Sequence, residues 1–169
     1  SLYKAFFTTP PRADLRYIVV IPCYNEDQIT KTLDSLWNAD RPGHSVEVII
    51  VINASEMDPV DIHDRNHRTE AEIGQWNGHH TDERFRVHTI HVGDLPPHKA
   101  GAGLARKIGM DEAVRRLDQL DRRHGWIISL DADTAVDRNY FVSIEKAVHD
   151  HPRLNAGVIH FEHPLEGDA

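Results

Sequence analysis

The sequence has very little cysteine: Cys23 is the only one in 169 residues. One cysteine excludes an internal disulfide and is typical of proteins that fold in a reducing compartment. Long apolar runs are also missing, since none approaches the roughly 18 to 20 residues of a membrane-spanning helix. We therefore expect a soluble domain, located in the cytoplasm or at the cytoplasmic face of a membrane. Any membrane contact is expected through parts of a longer protein that are not in this chain.

Positive charge is also scarce, because 19 Lys and Arg residues oppose 27 Asp and Glu residues, for a formal net charge of -8. An acidic surface repels phosphate backbones, so nucleic acid is not expected as a partner. Hydrophobic residues at 40% and charged residues at 27% are close to globular averages, and the length suits one domain. We predict an N-terminal arm at residues 1–15 and one domain at 16–163 that is truncated at its C-terminal end.

Strand-like and helix-like segments alternate along the chain. The predicted strands are 16–22, 46–52, 84–92, 127–130 and 156–161. The predicted helices begin near Asp27, at Pro59, near Gly101 and near Tyr140. Most of these strands lack in/out alternation and so are expected to be covered on both faces, whereas 84–92 alternates as an edge strand does. The pattern predicts an α/β fold with a parallel, doubly wound sheet.

Unusual polar residues follow four of the predicted strands. The segments are P-C-Y-N-E at 22–26, N-A-S-E-M-D at 53–58, H-K-A-G-A-G-L-A-R at 98–106 and D-A-D at 131–133. Because parallel strands bring their carboxyl ends to one edge of a sheet, we expect these segments to line one crevice. The oxygens of Asp131 and Asp133 suit Mg²⁺ or Mn²⁺, particularly when a diphosphate completes the coordination. An alternative is that Asp131 caps the following turn and Asp133 is simply solvated.

These motifs, in this order and approximate spacing, resemble the nucleotide-sugar-binding half of family 2 glycosyltransferases over roughly residues 16–161. The resemblance implies a Rossmann-like GT-A fold, which is a three-layer sandwich with a mainly parallel sheet. It implies metal-dependent, inverting transfer of a sugar from a nucleoside diphosphate donor to an acceptor that remains unidentified. A UDP-sugar is favoured as the donor, and a GDP-sugar is the second candidate.

The resemblance also assigns individual residues. Those assigned to the donor nucleotide are Pro22, Tyr24, Glu26, Asn53, Lys99, Arg106 and Asp131. The metal, Mn²⁺ or Mg²⁺, is assigned to Asp133 and Asp131, the D-x-D pair of the family. A metal that bridges two phosphates stabilises the charge on the departing nucleoside diphosphate. Gly101 allows close backbone approach to a ligand, and the helix start after it directs N–H groups at an anion.

Three of these assignments have alternatives. The alternative for Glu26 is a purely structural role, as a negative charge at a helix N-terminus. The alternative for Arg106 is that it forms a surface salt bridge. The family often carries D-D-G-S after the second strand, whereas residues 53–56 are N-A-S-E here. An amide at Asn53 can still pair with a base edge, but the usual preference for uridine is weakened.

No catalytic base is assigned. In inverting members of the family, the carboxylate that deprotonates the acceptor lies beyond the D-x-D pair, so we expect it downstream of Ala169. The chain is then expected to bind a donor but to transfer sugar poorly. If transfer is nevertheless efficient, the first carboxylates to consider are Asp137, Glu145 and Glu162.

Three other functions remain. A non-catalytic domain of the same fold would bind a nucleotide or sugar without transferring it. A sugar nucleotidyltransferase would need a glycine-rich loop where P-C-Y-N-E stands. A haloacid dehalogenase-type hydrolase would need threonine two residues after the second aspartate, where Ala135 stands.

Histidines and arginine pairs have simpler interpretations. The 13 histidines include the pairs His63/His67, His79/His80, His88/His91 and His160/His163, but no cysteine accompanies them. Because the pairs fall on different elements, we expect them to be solvated rather than to bind structural zinc. The pairs Arg115/Arg116 and Arg122/Arg123 are expected on the wet face of a helix. Cys23 is expected to be a buried, inert thiol.

Overall fold

The computed structural model describes residues 5–121 and 124–160. Within these ranges, four strands alternate with four helices. The elements are β1 (Leu15–Cys23), α1 (Ile29–Asn38), β2 (Ser45–Ser55), α2 (Val60–His79), β3 (Phe85–Leu95), α3 (Ala102–Asp118), β4 (Trp126–Ser129) and α4 (Tyr140–Asp150). The first four strands and all four helices predicted from the sequence are confirmed, with small shifts at their ends. None of the helices in the described ranges combines the length and the apolar character needed to cross a bilayer.

The strands form one sheet in the order β3-β2-β1-β4, and each neighbouring pair is parallel. β1 and β2 lie at the centre and are buried along nearly their whole length. β3 lies at an edge and is only half-buried, as its alternating sequence predicts. The predicted α/β class with a mainly parallel sheet is confirmed.

Both faces of the sheet are covered. On one face, β1 residues such as Val19 and Ile21 pack with apolar side chains of α1, α2 and α4. On the other face, Ile18 and Val20 pack against α3. Because successive side chains of a strand point to opposite faces, an apolar β1 requires helices on both sides. The result is the expected three-layer sandwich, with α3 as the helix of the second face.

A buried ion pair joins α3 to the central strand β2. Arg116 Nη2 donates to Glu47 Oε1 at 2.7 Å, Arg116 Nε donates to Glu47 Oε2, and both side chains are fully buried. The N-terminal arm closes over the pair, since Arg116 Nη1 donates to the Thr9 carbonyl at 3.1 Å and the Phe7 ring lies 5.7 Å from the guanidinium. Burial alone would raise the pKa of Glu47, but His88 and Arg116 outweigh it and hold that pKa below its ordinary value.

The expectation that Arg115 and Arg116 lie on a wet helix face was therefore wrong. Both side chains are buried, and Arg115 forms two hydrogen bonds with Glu112 one turn earlier. The physical reason is that carboxylates and the arm neutralise and cover these guanidinium groups, which helical spacing alone does not reveal. Arg122 and Arg123 lie outside the described residues.

The predicted strand 156–161 is not formed over residues 156–160, and residue 161 lies outside the described ranges. Val158 is 95% exposed, so neither a helix nor a neighbouring strand covers it. A strand needs a partner for its backbone hydrogen bonds, and a short apolar run does not supply one. In the described part of the chain, the sheet therefore ends at β4 on this side.

Replacing Glu47 with Gln should lower the free energy of unfolding by about 3 to 5 kcal/mol at pH 7, because Arg116 then keeps a buried charge without its counter-ion. The lowered pKa of Glu47 adds a pH dependence. The stabilisation is complete above the ordinary pKa of 4.5 and is lost as the pH falls through the lower pKa of the folded state. Urea unfolding between pH 7 and pH 3 should therefore show a shallower acid decline in the variant.

The double variant Glu47→Leu with Arg116→Leu is the control for this pair. Removing both charges together should recover most of the lost stability, since apolar side chains can replace a buried ion pair. A single variant as stable as the unmodified chain at pH 7 would contradict the assigned role.

Candidate functional site

The candidate site lies at the edge of the sheet where the strands end. Since all neighbouring strands are parallel, the four polar segments leave the sheet at this same edge. The segments 22–26 and 53–58 begin in the last residues of β1 and β2, and the other two come after Leu95 of β3 and Ser129 of β4. We call this region the carboxyl edge.

The loop after β1 combines an exposed ring with a bound carboxylate. Tyr24 is 46% exposed, whereas Pro22, two residues earlier, is buried. Glu26 Oε1 accepts hydrogen bonds from the backbone N–H groups of Asp27 at 2.9 Å and Gln28 at 2.8 Å. The Glu26 carboxylate therefore stabilises the turn that leads into α1. This is the structural role at a helix N-terminus that the sequence offers as the alternative for Glu26.

Helix α2 holds the same loop from the other side. The buried Asn66 accepts a hydrogen bond from Asn25 N at 3.0 Å and donates to the Asn53 carbonyl at 2.9 Å. The Glu26 carbonyl accepts from Thr69 Oγ1 at 2.8 Å and from Arg65 Nε at 3.1 Å. Asn25 has a φ of 49°, in the left-handed region, and this bonding fixes it there.

Sequence reasoning missed this group on α2. A usable signal was present, because Asn66 and Thr69 share helical spacing with the buried Ile73 and Trp76. Polar residues on the apolar side of a helix indicate buried hydrogen bonds. Together they tie the ends of β1 and β2 into one unit.

Asn53 lies inside this unit. Its side chain is almost completely buried, and Nδ2 donates to the Cys23 carbonyl at 2.9 Å. Its Oδ1 has no hydrogen-bond partner among the described residues. In this conformation Asn53 joins the ends of β1 and β2 and does not present its amide to a ligand. Cys23 is buried as predicted, and burial with the nearby Glu26 charge raises the pKa of its thiol to about 12.

The D-A-D segment is anchored at its centre and exposed on either side. Ala132 is buried, and its carbonyl accepts from Thr32 Oγ1 at 2.7 Å. Asp131 and Asp133 are both exposed. The backbone of Thr134 donates to the Asp131 carbonyl at 3.2 Å, which closes a turn around Asp133. The strand end thus presents two carboxylates while its backbone is fixed to α1.

Arg106 connects the D-A-D segment with α3. Its Nη2 lies 2.7 Å from Asp131 Oδ1, and the side chains of Arg106 and Asp131 are 36% and 67% exposed. A salt bridge this exposed contributes about 0 to 1 kcal/mol to stability. Arg106 Nε is buried and has no partner among the described residues. The geometry therefore places a cation against the first carboxylate of the D-A-D segment at the carboxyl edge.

Gly101, directly before α3, and Gly109, in the middle of the helix, have different roles. Gly101 has a φ of 135°, a conformation that favours glycine, directly before the first helical residue. At Gly109, a Cβ would lie 2.5 Å from Val20 Cγ1, so this glycine allows α3 to pack closely on β1. Lys99 is exposed in the turn before Gly101.

Two of the carboxylates considered as a base are now located. Glu145 accepts from Gly43 N at 3.1 and 3.0 Å and from the Tyr17 hydroxyl at 3.4 Å. Tyr17 lies at the opposite end of β1, so Glu145 is not at the carboxyl edge. Asp137 is exposed between β4 and α4, and Glu162 lies outside the described residues.

Comparisons with known protein structures show that the fold of this chain occurs in other proteins. Several solved structures share the fold, among them structures of TarS from S. aureus. TarS 1-349 in complex with UDP has a TM-score of 0.58 at 16% identity, over 86% of this chain and 38% of that one. TarS 1-349 in complex with UDP-GlcNAc has a TM-score of 0.53 at 18% identity, over 86% and 37%. This chain therefore spans less than two fifths of the length of those structures, and no curated protein sequence matches it.

The sequence itself decides the family. It matches the family model described as "Glycosyl transferase family 2" over residues 18–167, which is most of the chain. The match covers all four strands, from within β1 to beyond α4, and it includes the D-A-D segment. The resemblance inferred from the motifs is confirmed, and the chain belongs to glycosyl transferase family 2.

Proposed function

We propose that this chain binds a nucleoside diphosphate sugar at the carboxyl edge, as the donor-binding part of a metal-dependent glycosyltransferase. The observation that carries the proposal is the exposed D-A-D segment, joined to the start of α3 by Arg106 and Asp131 at 2.7 Å. Membership of the family supports glycosyl transfer as the reaction. Because the similar TarS structures contain UDP and UDP-GlcNAc, a UDP-sugar is favoured over a GDP-sugar as the donor.

The diphosphate is proposed to bind at the start of α3. Free N–H groups in the first turn of a helix attract anions, and Gly101 leaves them without a side chain in the way. Arg106 and Lys99 add positive charge in the same region. Arg106 can leave Asp131 and bind a phosphate at little cost in free energy, because an exposed salt bridge of this kind is weak.

The nucleoside is proposed to lie on the loop after β1. The exposed ring of Tyr24 provides a surface on which a base can stack, and Asp131 is placed to accept from ribose hydroxyls. In this proposal, three further residues shape the loop without touching the nucleotide, because their side chains are buried or bound to the backbone. They are Pro22, Glu26 and Asn53. This division separates residues that touch the nucleotide from those that hold the loop.

The metal is proposed to be Mn²⁺ or Mg²⁺. Asp133 and Asp131 would hold it beside the diphosphate. The residues fit such an ion: both carboxylates are exposed hard-oxygen ligands, and Asp133 has no ionic partner within residues 5–121 and 124–160. When bound, the ion would supply positive charge that stabilises the departing nucleoside diphosphate. Arg106 would supply a second, fixed positive charge in the same place.

Transfer is proposed to invert the configuration of the sugar. The general base is not assigned to this chain, because Glu145 lies at the other end of the sheet and is already bound to the Gly43 backbone. General-base assistance typically contributes about two to four orders of magnitude in rate. A comparison of the chain with a longer protein from the same gene, assayed for transfer from UDP-GlcNAc, tests this division directly. Equal rates would place the base within this chain.

Replacing Asp133 with Asn should abolish the effect of Mn²⁺ on UDP binding. In the unmodified chain we expect Mn²⁺ to strengthen UDP binding by roughly ten- to a hundred-fold, the equivalent of a charge-assisted contact. Calorimetric titration with UDP, with and without Mn²⁺, measures the effect, and GDP in place of UDP tests the base preference. Asp118→Asn, at the far end of α3, is the control and should keep the metal response. An Asp133 variant that also keeps it would disprove the assignment.

Replacing Asn66 with Ala should weaken UDP binding, although Asn66 does not touch the nucleotide. The change removes the hydrogen bonds that Asn66 makes with Asn25 N and the Asn53 carbonyl, and so loosens the loop that carries Tyr24. We expect a stability loss of about 1 to 3 kcal/mol together with a several-fold rise in the Kd for UDP.

Asn77→Ala on the same helix is the matched control for this variant. Asn77 Nδ2 also donates to a backbone carbonyl, that of Val87 at 3.3 Å, but near the start of β3. Its loss should reduce thermal stability and leave UDP affinity unchanged. If both variants changed UDP affinity equally, the positioning role of Asn66 would be refuted.

A further inference from the structure

Three side chains with metal-binding groups meet between α2 and β3. They are His67 and Glu70 on α2 and His91 on β3, and one ligand atom from each lies within 4.8 Å of the other two. His91 Nδ1 is 2.6 Å from Glu70 Oε2, and His67 Nδ1 is 4.0 Å from the same oxygen. The rings of His67 and His91 have centroids 4.8 Å apart.

This grouping departs from the histidine pairs suggested by the sequence. His88 and His91 are three residues apart on β3, so they point to opposite faces of the sheet. His88 lies on the α3 face, stacked on Phe7 and 3.7 Å from Glu47, whereas His91 faces α2. The pairs His63/His67 and His88/His91 lie on different elements, α2 and β3, as predicted, but the packing of α2 on β3 brings His67 close to His91.

We propose that His67, Glu70 and His91 bind one Zn²⁺ ion, with water as the fourth ligand. Two imidazoles and one carboxylate are a ligand set that zinc uses when it keeps one open position. Tetrahedral bonds of about 2.0 to 2.2 Å place ligand atoms roughly 3.4 Å apart, so the present spacing needs adjustments of about 1 Å. His67 is 68% exposed and is free to rotate by that amount.

A third histidine lies near this group, and the ligand types favour zinc. A Cβ built on Gly93 would be at ordinary contact distance from two rings, 3.6 Å from His91 Nε2 and 3.8 Å from His63 Nδ1. His63 of α2 and His91 of β3 therefore border the same position beside Gly93. Imidazole ligands select zinc and similar transition metals over Mg²⁺ and Mn²⁺, which prefer oxygen. The proposed site is chemically different from the D-A-D segment.

The ion would fasten α2 to the edge strand. Few side chains of α2 are buried, and the two apolar ones among them, Ile73 and Trp76, lie in its second half. The first half is attached mainly by hydrogen bonds from the turns that carry Asn66 and Thr69. A metal ion coordinated by His67 and Glu70 on those turns and by His91 on β3 would cross-link the first half of α2 to β3, which the apolar core does not do.

Calorimetric titration of the chelator-treated chain with ZnCl₂ tests the proposal. We expect one ion per chain and a Tm that rises by roughly 5 to 10 °C when free Zn²⁺ is a hundred times its Kd. His67→Ala and Glu70→Gln should each weaken Zn²⁺ binding at least about ten-fold and remove the rise in Tm. Both positions are partly or largely exposed, so these variants are expected to fold, which circular dichroism checks.

Two controls separate this site from other places on a histidine-rich surface. His79→Ala, near the end of the same helix, should leave Zn²⁺ affinity unchanged, because His79 lies about three turns from His67 and its Nδ1 is bonded to the Gln75 carbonyl. Asp133→Asn should also leave it unchanged. The proposal is overturned if the chain binds no Zn²⁺, if His79→Ala weakens binding as much as His67→Ala does, or if only Asp133→Asn weakens it.

Discussion

The parallel pairing of β1 with β2 is the constraint on which the rest of the structure depends. Eight positions of each strand are paired, from Leu15 with Ser45 to Cys23 with Ile52, and the seven from Tyr17 to Cys23 are in continuous register. Because both strands are apolar on both faces, helices must cover the sheet from above and below. Because they run in the same direction, their polar ends must meet. The three layers and the carboxyl edge are thus two consequences of one pairing.

Two ion pairs join helix α3 to the sheet side of the domain, and they differ in how easily their partners separate. Arg116 and Glu47 are fully buried, so separating them would leave a charge without a partner at a cost of about 3 to 5 kcal/mol. Arg106 and Asp131 are exposed and cost little to separate. The buried pair fixes α3 against β2, and the exposed pair leaves the first turns of the same helix able to exchange partners. Helix α3 is therefore fixed near its C-terminal end, while Arg106 near its N-terminal end can change its partner, which is suited to binding an anion.

Helix α2 performs a different task, which depends on buried polar groups. Asn66 and Thr69 satisfy backbone groups at the ends of β1 and β2 that apolar side chains would leave unpaired. The cost is a helix with little apolar surface against the sheet. Its attachment to the edge strand then rests on polar contacts such as that between Glu70 and His91. The same helix holds the loop after β1 and carries two of the three proposed zinc ligands.

The amino-acid sequence alone determined the fold class and the four strands that form the sheet, because continuous apolar runs such as V-I-I-V are stable only when buried on both faces. It also placed D-A-D and P-C-Y-N-E at one edge, since that follows from parallel strands alone. Only the tertiary structure decided which polar residues are buried. Arg116, Asn66 and Asn53 owe their burial to partners 69, 41 and 30 residues away. His67 and His91 meet for the same reason: spacing along a chain specifies the face of an element, whereas the packing of two elements specifies which faces touch.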